Sequence, residues 1–235
     1  DGQQEFGLSQ TGTRYSKDID TTALADGEHD FRVSARNSVG DETDKTATFT
    51  VDNTAPEVTN YPVSDGDYLE GEVVFDPTIT DANEVVRGTL FVDGNVEAEY
   101  LDRISHTLDT TNLAEGEHTL RFEAEDEAGN VTTIETDVTV DNEAPTVEIT
   151  SPQDGITATS GFTLFWDQQD AAGWGDARAE VIVGGEHYGF VSNHVEARSI
   201  NINNRPTGWN ECKVIVTDGS GKTAEASIMV NFQPE

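Results

Sequence analysis

The chain has 235 residues, 34% of them hydrophobic, and sets 46 Asp and Glu against 13 Lys and Arg, a formal charge of −33 at pH 7. A field of that sign repels phosphate, which disfavours nucleic acid and anionic membrane as partners. No run of about 18 apolar residues exists to enter a bilayer, and a single cysteine excludes a disulfide framework.

Along the chain, the block from Asp20 to Pro56 returns 89 residues later as Asp109 to Pro145 without insertion or deletion. A fixed period signals one structural unit used repeatedly. A third, diverged copy opens at Pro145, where Pro152 to Gly155 answers Pro62 to Gly66. The units are therefore 1–55, 56–144 and 145–235. Asp1-Gly2 lines up with Asp93-Gly94, so unit 1–55 is the closing half of a repeat. Its opening strands are expected from chain outside these residues or from another molecule.

Within each unit the pattern is β. Phe31, Val33 and Ala35, then Phe49 and Val51, alternate with polar residues in the first unit. Leu120, Phe122 and Ala124, then Val138 and Val140, keep the same phase in the second. Cys212, Val214 and Val216, then Ile228, Val230 and Phe232, keep it in the third. This is the period of a strand with one face in a core. Turn signals at Gly40-Asp41, Gly129-Asn130 and Asp218 to Gly221 separate the strands, and no window has helical periodicity. About 90 residues holding about seven short strands predict an all-β fold of tandem antiparallel sandwiches. The Ala-Pro junctions at Pro56 and Pro145 carry no Gly/Ser linker, so adjacent units are expected to form a semi-rigid rod.

The run LAEGEHTLRFEAEDEAGN from Leu113 to Asn130, followed by a strand and Asp141-Asn142-Glu143-Ala144-Pro145, resembles the tandem immunoglobulin-like repeats of bacterial and archaeal surface proteins. The resemblance covers the whole chain and weakens in the third unit, where Asn210 and Lys222 replace the His and Asn of the pattern. It implies a non-enzymatic, extracellular structural or adhesive role. His29 and His118 stand two residues before an inward side chain, the offset of the immunoglobulin corner tyrosine, and are read as corner hydrogen-bonders. Cys212 occupies the place of the second immunoglobulin cysteine and is expected to be a buried, inert thiol. The acid-rich, lysine-poor surface resembles that of halophile proteins, in which salt screens self-repulsion.

No nucleophile elbow, paired histidine motif or phosphate loop points to catalysis. The candidate sites are of other kinds. Asp52-Asn53 and Asp141-Asn142 place hard oxygen donors at the two seams, a candidate inter-unit calcium site; the alternative is that they simply end a strand before an extended exit. All tryptophans lie in the third unit. Trp166 reads as core, while Trp174, in a loop of small residues, and Trp209 are candidates for surface contact with a sugar or a neighbouring subunit. Asn130 opens the N-glycosylation sequon Asn130-Val131-Thr132, and a turn asparagine explains it equally. The expected partners are other copies of the chain or neighbouring surface proteins, and no cofactor is required beyond the candidate calcium. An accessory polysaccharide-binding module of a secreted enzyme is the alternative function.

Overall fold

The structure, a computed structural model, describes residues 9–11, 14–16, 18–83, 85–101, 105–173, 177–192, 197–201, 203 and 205–233. In the first unit, β1 (Ser9–Thr11) pairs antiparallel with β2 (Arg14–Ser16), and β3 (Gly27–Arg36) with β4 (Glu42–Val51). The inward Phe31, Val33 and Phe49 of this second hairpin are only half-buried. Among the described residues no second sheet covers them.

The second unit contains β5 (Glu57–Thr59), β6 (Tyr68–Leu69), β7 (Glu72–Phe75), β8 (Thr78–Thr80), β9 (Val85–Val92), β10 (Asn95–Tyr100), β11 (His106–Asp109), β12 (Gly116–Asp126) and β13 (Val131–Val140). One layer is the sheet β10-β9-β12-β13-β6; the other consists of the pairs β5-β8 and β7-β11. The third unit contains β14 (Thr146–Ser151), β15 (Thr157–Ala158), β16 (Phe162–Gln169), β17 (Arg178–Val183), β18 (Glu186–Ser192), β19 (Ala197–Ile200), β20 (Gly208–Thr217) and β21 (Thr223–Phe232). Its layers are β15-β21-β20-β17-β18 and β14-β16-β19. The chain is thus an all-β tandem of immunoglobulin-like sandwiches.

Two details differ from the sequence expectation of antiparallel strands alone. The short β6 and β15 pair parallel with the ends of β13 and β21. They are held there by the Asp-Gly opening signature of each unit. Asp65 Oδ1 accepts the Asp137 amide at 3.0 Å, and the Gly66 amide donates to Asp137 O at 2.8 Å. Asp154 and Gly155 repeat both bonds with Met229. The second difference is that one strand of the third unit, β16, corresponds to two strands, β7 and β8, in the second. Pro77 falls between them, at the position Trp166 occupies in the third unit; with no N–H to give to the ladder, it breaks the strand.

Each sandwich has its own core. Phe75, Leu90, Leu120, Phe122 and Val138 are at most 2% exposed in the second unit, as are Leu164, Trp166, Val181, Cys212 and Phe232 in the third. Each such large apolar side chain contributes about 1.5–3 kcal/mol by leaving water. Burial pushes the Cys212 thiol up to about 11, which keeps it protonated and unreactive at neutral pH. The β9–β10 hairpin turns through Asp93 and Gly94, both at positive φ, a primed two-residue turn in which glycine carries no steric cost.

Asp93 also fastens a corner. Its carboxylate accepts the Thr119 amide at 3.0 Å and meets His118 Nδ1 at 2.7 Å, while His118 Nε2 faces Ala114 O at 2.8 Å. His29 makes the same bond to Ala25 O, and Asn210 Nδ2 donates to Pro206 O. Both nitrogens face an acceptor, an arrangement that favours the doubly donating imidazolium. Burial opposes that charge, but the Ala114 carbonyl and the Asp93 carboxylate outweigh it and raise the His118 pKa. A raised folded pKa gives stability that is fully present below the unfolded value of about 6.5 and is lost as pH rises through the folded value. The second unit is therefore expected to melt lower in mildly alkaline than in mildly acidic buffer. His118→Asn, which copies Asn210, should flatten that dependence in calorimetric scans, and a slope that survives the substitution would refute the assignment.

Candidate functional site

The folding of the repeat gathers carboxylates at each seam. At the first, Asp52 follows β4, Asp81 follows β8 and Asp126 ends β12; at the second, Asp141 follows β13, Asp170 follows β16 and Asp218 follows β20. In each triad one oxygen from every residue lies within 4.8 Å of the others. One member comes from the last strand of the unit behind and two come from the near end of the unit ahead, so each triad exists only where two units meet. Carboxylate oxygens are the donors that hard cations such as calcium take.

The two triads are wired differently. At the first seam Asn83 Nδ2 donates to Asp52 Oδ2 at 2.6 Å. Asn130 Nδ2 donates to Asp126 Oδ2 at 2.8 Å and to the carbonyls of Asp52 at 3.2 Å and Thr54 at 3.3 Å. Although burial pushes the Asp126 carboxyl up, the Asn130 side chain and the backbone amides of the turn outweigh it and hold its pKa low.

At the second seam Ala172 stands where the first has Asn83, and Lys222 where it has Asn130. Lys222 Nζ donates to Asp141 O at 2.6 Å and Ser220 Oγ at 3.1 Å, and pairs with Glu70 Oε2 at 2.9 Å; Asp141 Oδ1 is farther, at 3.4 Å. Asp218 Oδ1 takes the amides of Gly221 and Lys222 and the Ser220 hydroxyl, each at 2.8 Å. Asp141 and Asp218 are 0% and 4% exposed, and the Oδ2 atom of each is buried without a hydrogen-bond partner. Burial, then the charges of Asp141 and Asp218, raise the Asp170 pKa. Glycine at position 219 lets this turn close on the Tyr68 ring of the second unit, space that a Cβ would occupy.

Of the residues singled out in the sequence, Asp52 and Asp141 enter the triads, whereas Asn53 and Asn142 do not. Asn142 serves its own unit: its Oδ1 accepts the Gly71 amide at 3.0 Å and the Thr110 hydroxyl at 2.8 Å, and its Nδ2 donates to Thr110 O at 3.1 Å. Asn53 Nδ2 likewise donates to Thr21 O and Leu24 O, both at 3.1 Å. Glu57 and Glu148, also near the junctions in sequence, belong to neither triad. Asp81, Asp126, Asp170 and Asp218 were not singled out. The only signal for them was recurrence at matching places in successive copies, which many of the acidic residues share.

The Asn130 amide nitrogen, where a glycan would attach, is held by the three bonds given above, and a glycan would have to displace them. Trp174 lies outside the described residues. Trp209 is 58% exposed, on the outward face of β20 opposite Asn231, while Trp166 is 1% exposed.

A family model described as bacterial Ig-like domain (group 3) matches residues 102–164. No curated protein matches the chain. Among solved structures, the tetra-tandem repeat in the extending region of a large adhesion protein is 18% identical, with 94% of this chain and 60% of that one covered, at a TM-score of 0.46. Fibronectin(III)-like modules of Clostridium thermocellum CbhA are 18% identical over 76% of this chain and 95% of theirs, at 0.43. A Ca2+-stabilized adhesin that helps an Antarctic bacterium bind ice is 20% identical over 88% of this chain and 57% of its own, at 0.32. The chain thus spans about 60% of each adhesion structure. Residues 102–164, the stretch similar to a bacterial Ig-like domain, run across the seam between two immunoglobulin-like sandwiches of this chain.

Proposed function

We propose that the chain is a stretch of a non-enzymatic extracellular repeat array that acts as a structural or adhesive element of a prokaryotic cell surface in a saline habitat, as a filament, surface-layer or stalk component. The observation that carries this reading is the way each unit grips the one behind it. Asn130 binds the carbonyls of Asp52 and Thr54, and Lys222 binds Asp141 O and Glu70. Together with the short Ala-Pro junctions, such contacts favour a fixed angle between neighbours, which an element built for reach requires. The surplus of acidic residues fits the saline setting, since about 1 M salt shortens the screening length to about 3 Å. Partners in this reading are further copies of the chain or adjoining surface proteins.

Small-angle X-ray scattering in molar salt tests it. The expected result is an elongated particle of defined length, and the pair Asn130→Ala with Lys222→Ala should broaden the distance distribution. Profiles of freely jointed units in the unmodified chain would overturn it. The exposed Trp209 favours a second reading, an accessory polysaccharide-binding module of a secreted enzyme. Loss of binding to insoluble polysaccharide in Trp209→Ala would support that reading.

A further inference from the structure

We propose that the seam between the second and third units binds one hard divalent cation of the calcium class on Asp141, Asp170 and Asp218, whereas the first seam is wired to do without one. Acidic clusters are common on so acidic a chain, and the triad alone would carry nothing. What sets this one apart is that two of its carboxylates are at least nine-tenths buried and present an oxygen, Asp141 Oδ2 and Asp218 Oδ2, to no donor. A buried carboxylate left in that state is strongly destabilising unless a cation or a donor answers it.

The repeat supplies an internal control. At the first seam the corresponding oxygens, Asp52 Oδ2 and Asp126 Oδ2, are answered by the amides of Asn83 and Asn130. The third unit has replaced both asparagines, by Ala172 and Lys222, and the two oxygens that lose their amides are the two left without a partner.

Lys222 does not fill the gap. An ammonium has three hydrogens, and its three nearest acceptors are Asp141 O, Glu70 Oε2 and Ser220 Oγ, at 2.6, 2.9 and 3.1 Å. Its contact with the triad's carboxylates is the longer one, to Asp141 Oδ1 at 3.4 Å, and neither Oδ2 atom receives a hydrogen bond from it. With the Lys222 charge met by Glu70, the three aspartates leave a surplus of negative charge at the seam that a divalent ion offsets. Three carboxylates, each able to bind through one or two oxygens, provide half or more of the six to eight ligands calcium takes, and water completes the set. Such an ion would fasten the second unit to the third, because Asp141 belongs to one and Asp170 and Asp218 to the other. The proposal stands whether or not the array works on a cell surface.

Isothermal titration of the intact chain with calcium chloride in molar sodium chloride, paired with thermal melts, tests it. The expected result is saturable uptake of one ion per chain, with a dissociation constant at or below about 0.1–1 mM, and a raised melting temperature for the third unit. Asp170→Asn should weaken uptake by about tenfold or more, and Asp81→Asn should leave it unchanged. The decisive variant is Ala172→Asn with Lys222→Asn, which rebuilds the first seam's wiring at the second. It should melt cooperatively and take up no calcium, so that loss of binding is separated from loss of folding. Absence of saturable uptake in the unmodified chain, uptake that survives the double variant, or uptake of two equivalent ions would each overturn the proposal.

Discussion

Trp166→Ala is expected to destabilise the third unit by about 3–5 kcal/mol, the cost of removing a large aromatic side chain from a closed core. Trp166 is 1% exposed, and its indole N–H donates to Gln168 Oε1 at 3.1 Å. The alanine variant therefore loses the buried area and leaves a cavity among Leu164, Val181, Val214 and Phe232, which belong to the same core cluster. A loss of that size is a large fraction of the total of about 5–15 kcal/mol usual for a domain. Urea unfolding followed by circular dichroism should show the third unit's transition moving to lower denaturant while the second unit's stays in place. A third-unit midpoint that does not move would contradict the core assignment.

Asn142→Ala should cost the second unit about 2–4 kcal/mol, because truncation strands partly buried groups at about 1–3 kcal/mol each. The Gly71 amide, the Thr110 hydroxyl and the Thr110 carbonyl all lose a partner, and Thr110 is 0% exposed. Asn142→Asp keeps the acceptor for Gly71 and Thr110 but sets a charged carboxylate oxygen, in place of the donating amide, against the Thr110 carbonyl and beside Glu115, so it should not be the milder variant. Denaturant melts of both variants check the order. The same proteins, titrated with calcium, separate the two roles the residue has been given. A ligand would weaken uptake with little effect on folding, whereas the clip seen in the structure predicts the reverse.

The comparison of Asn142 with its neighbour Asp141 shows where reading the sequence stops. Both stand at the end of β13 in a motif that recurs at Asp52-Asn53, and the sequence treats the pair as one candidate site. In the fold their side chains part. Asp141 turns to the unit ahead and Asn142 back into its own, where it ties the turn at Thr110 to Gly71. Neighbouring residues leaving a strand face opposite sides, so a paired motif at a strand end serves two partners rather than one. Lys222 makes a related point. The sequence marks it as a departure from the Gly-Asn pattern, but its consequence appears only when the amide it replaces is seen to have answered a buried carboxylate.

The sequence by itself determined the all-β class, the length of the repeat, the phase of each strand and the identity of the core, including the inward Leu120, Phe122, Val214 and Phe232. These follow from local periodicity and from recurrence at a constant spacing, and alternation along a strand needs no partner to be read. The division of one strand into β7 and β8 at Pro77 appears only in the fold. Only the tertiary structure decided which few of the 46 acidic residues meet. Asp141, Asp170 and Asp218 are separated by whole strands, and their meeting depends on sheet register and on the packing of one sandwich against the next. Whether each carboxylate oxygen finds a donor there is settled by single side chains, an asparagine or an alanine, a second asparagine or a lysine, whose partners lie far away in sequence.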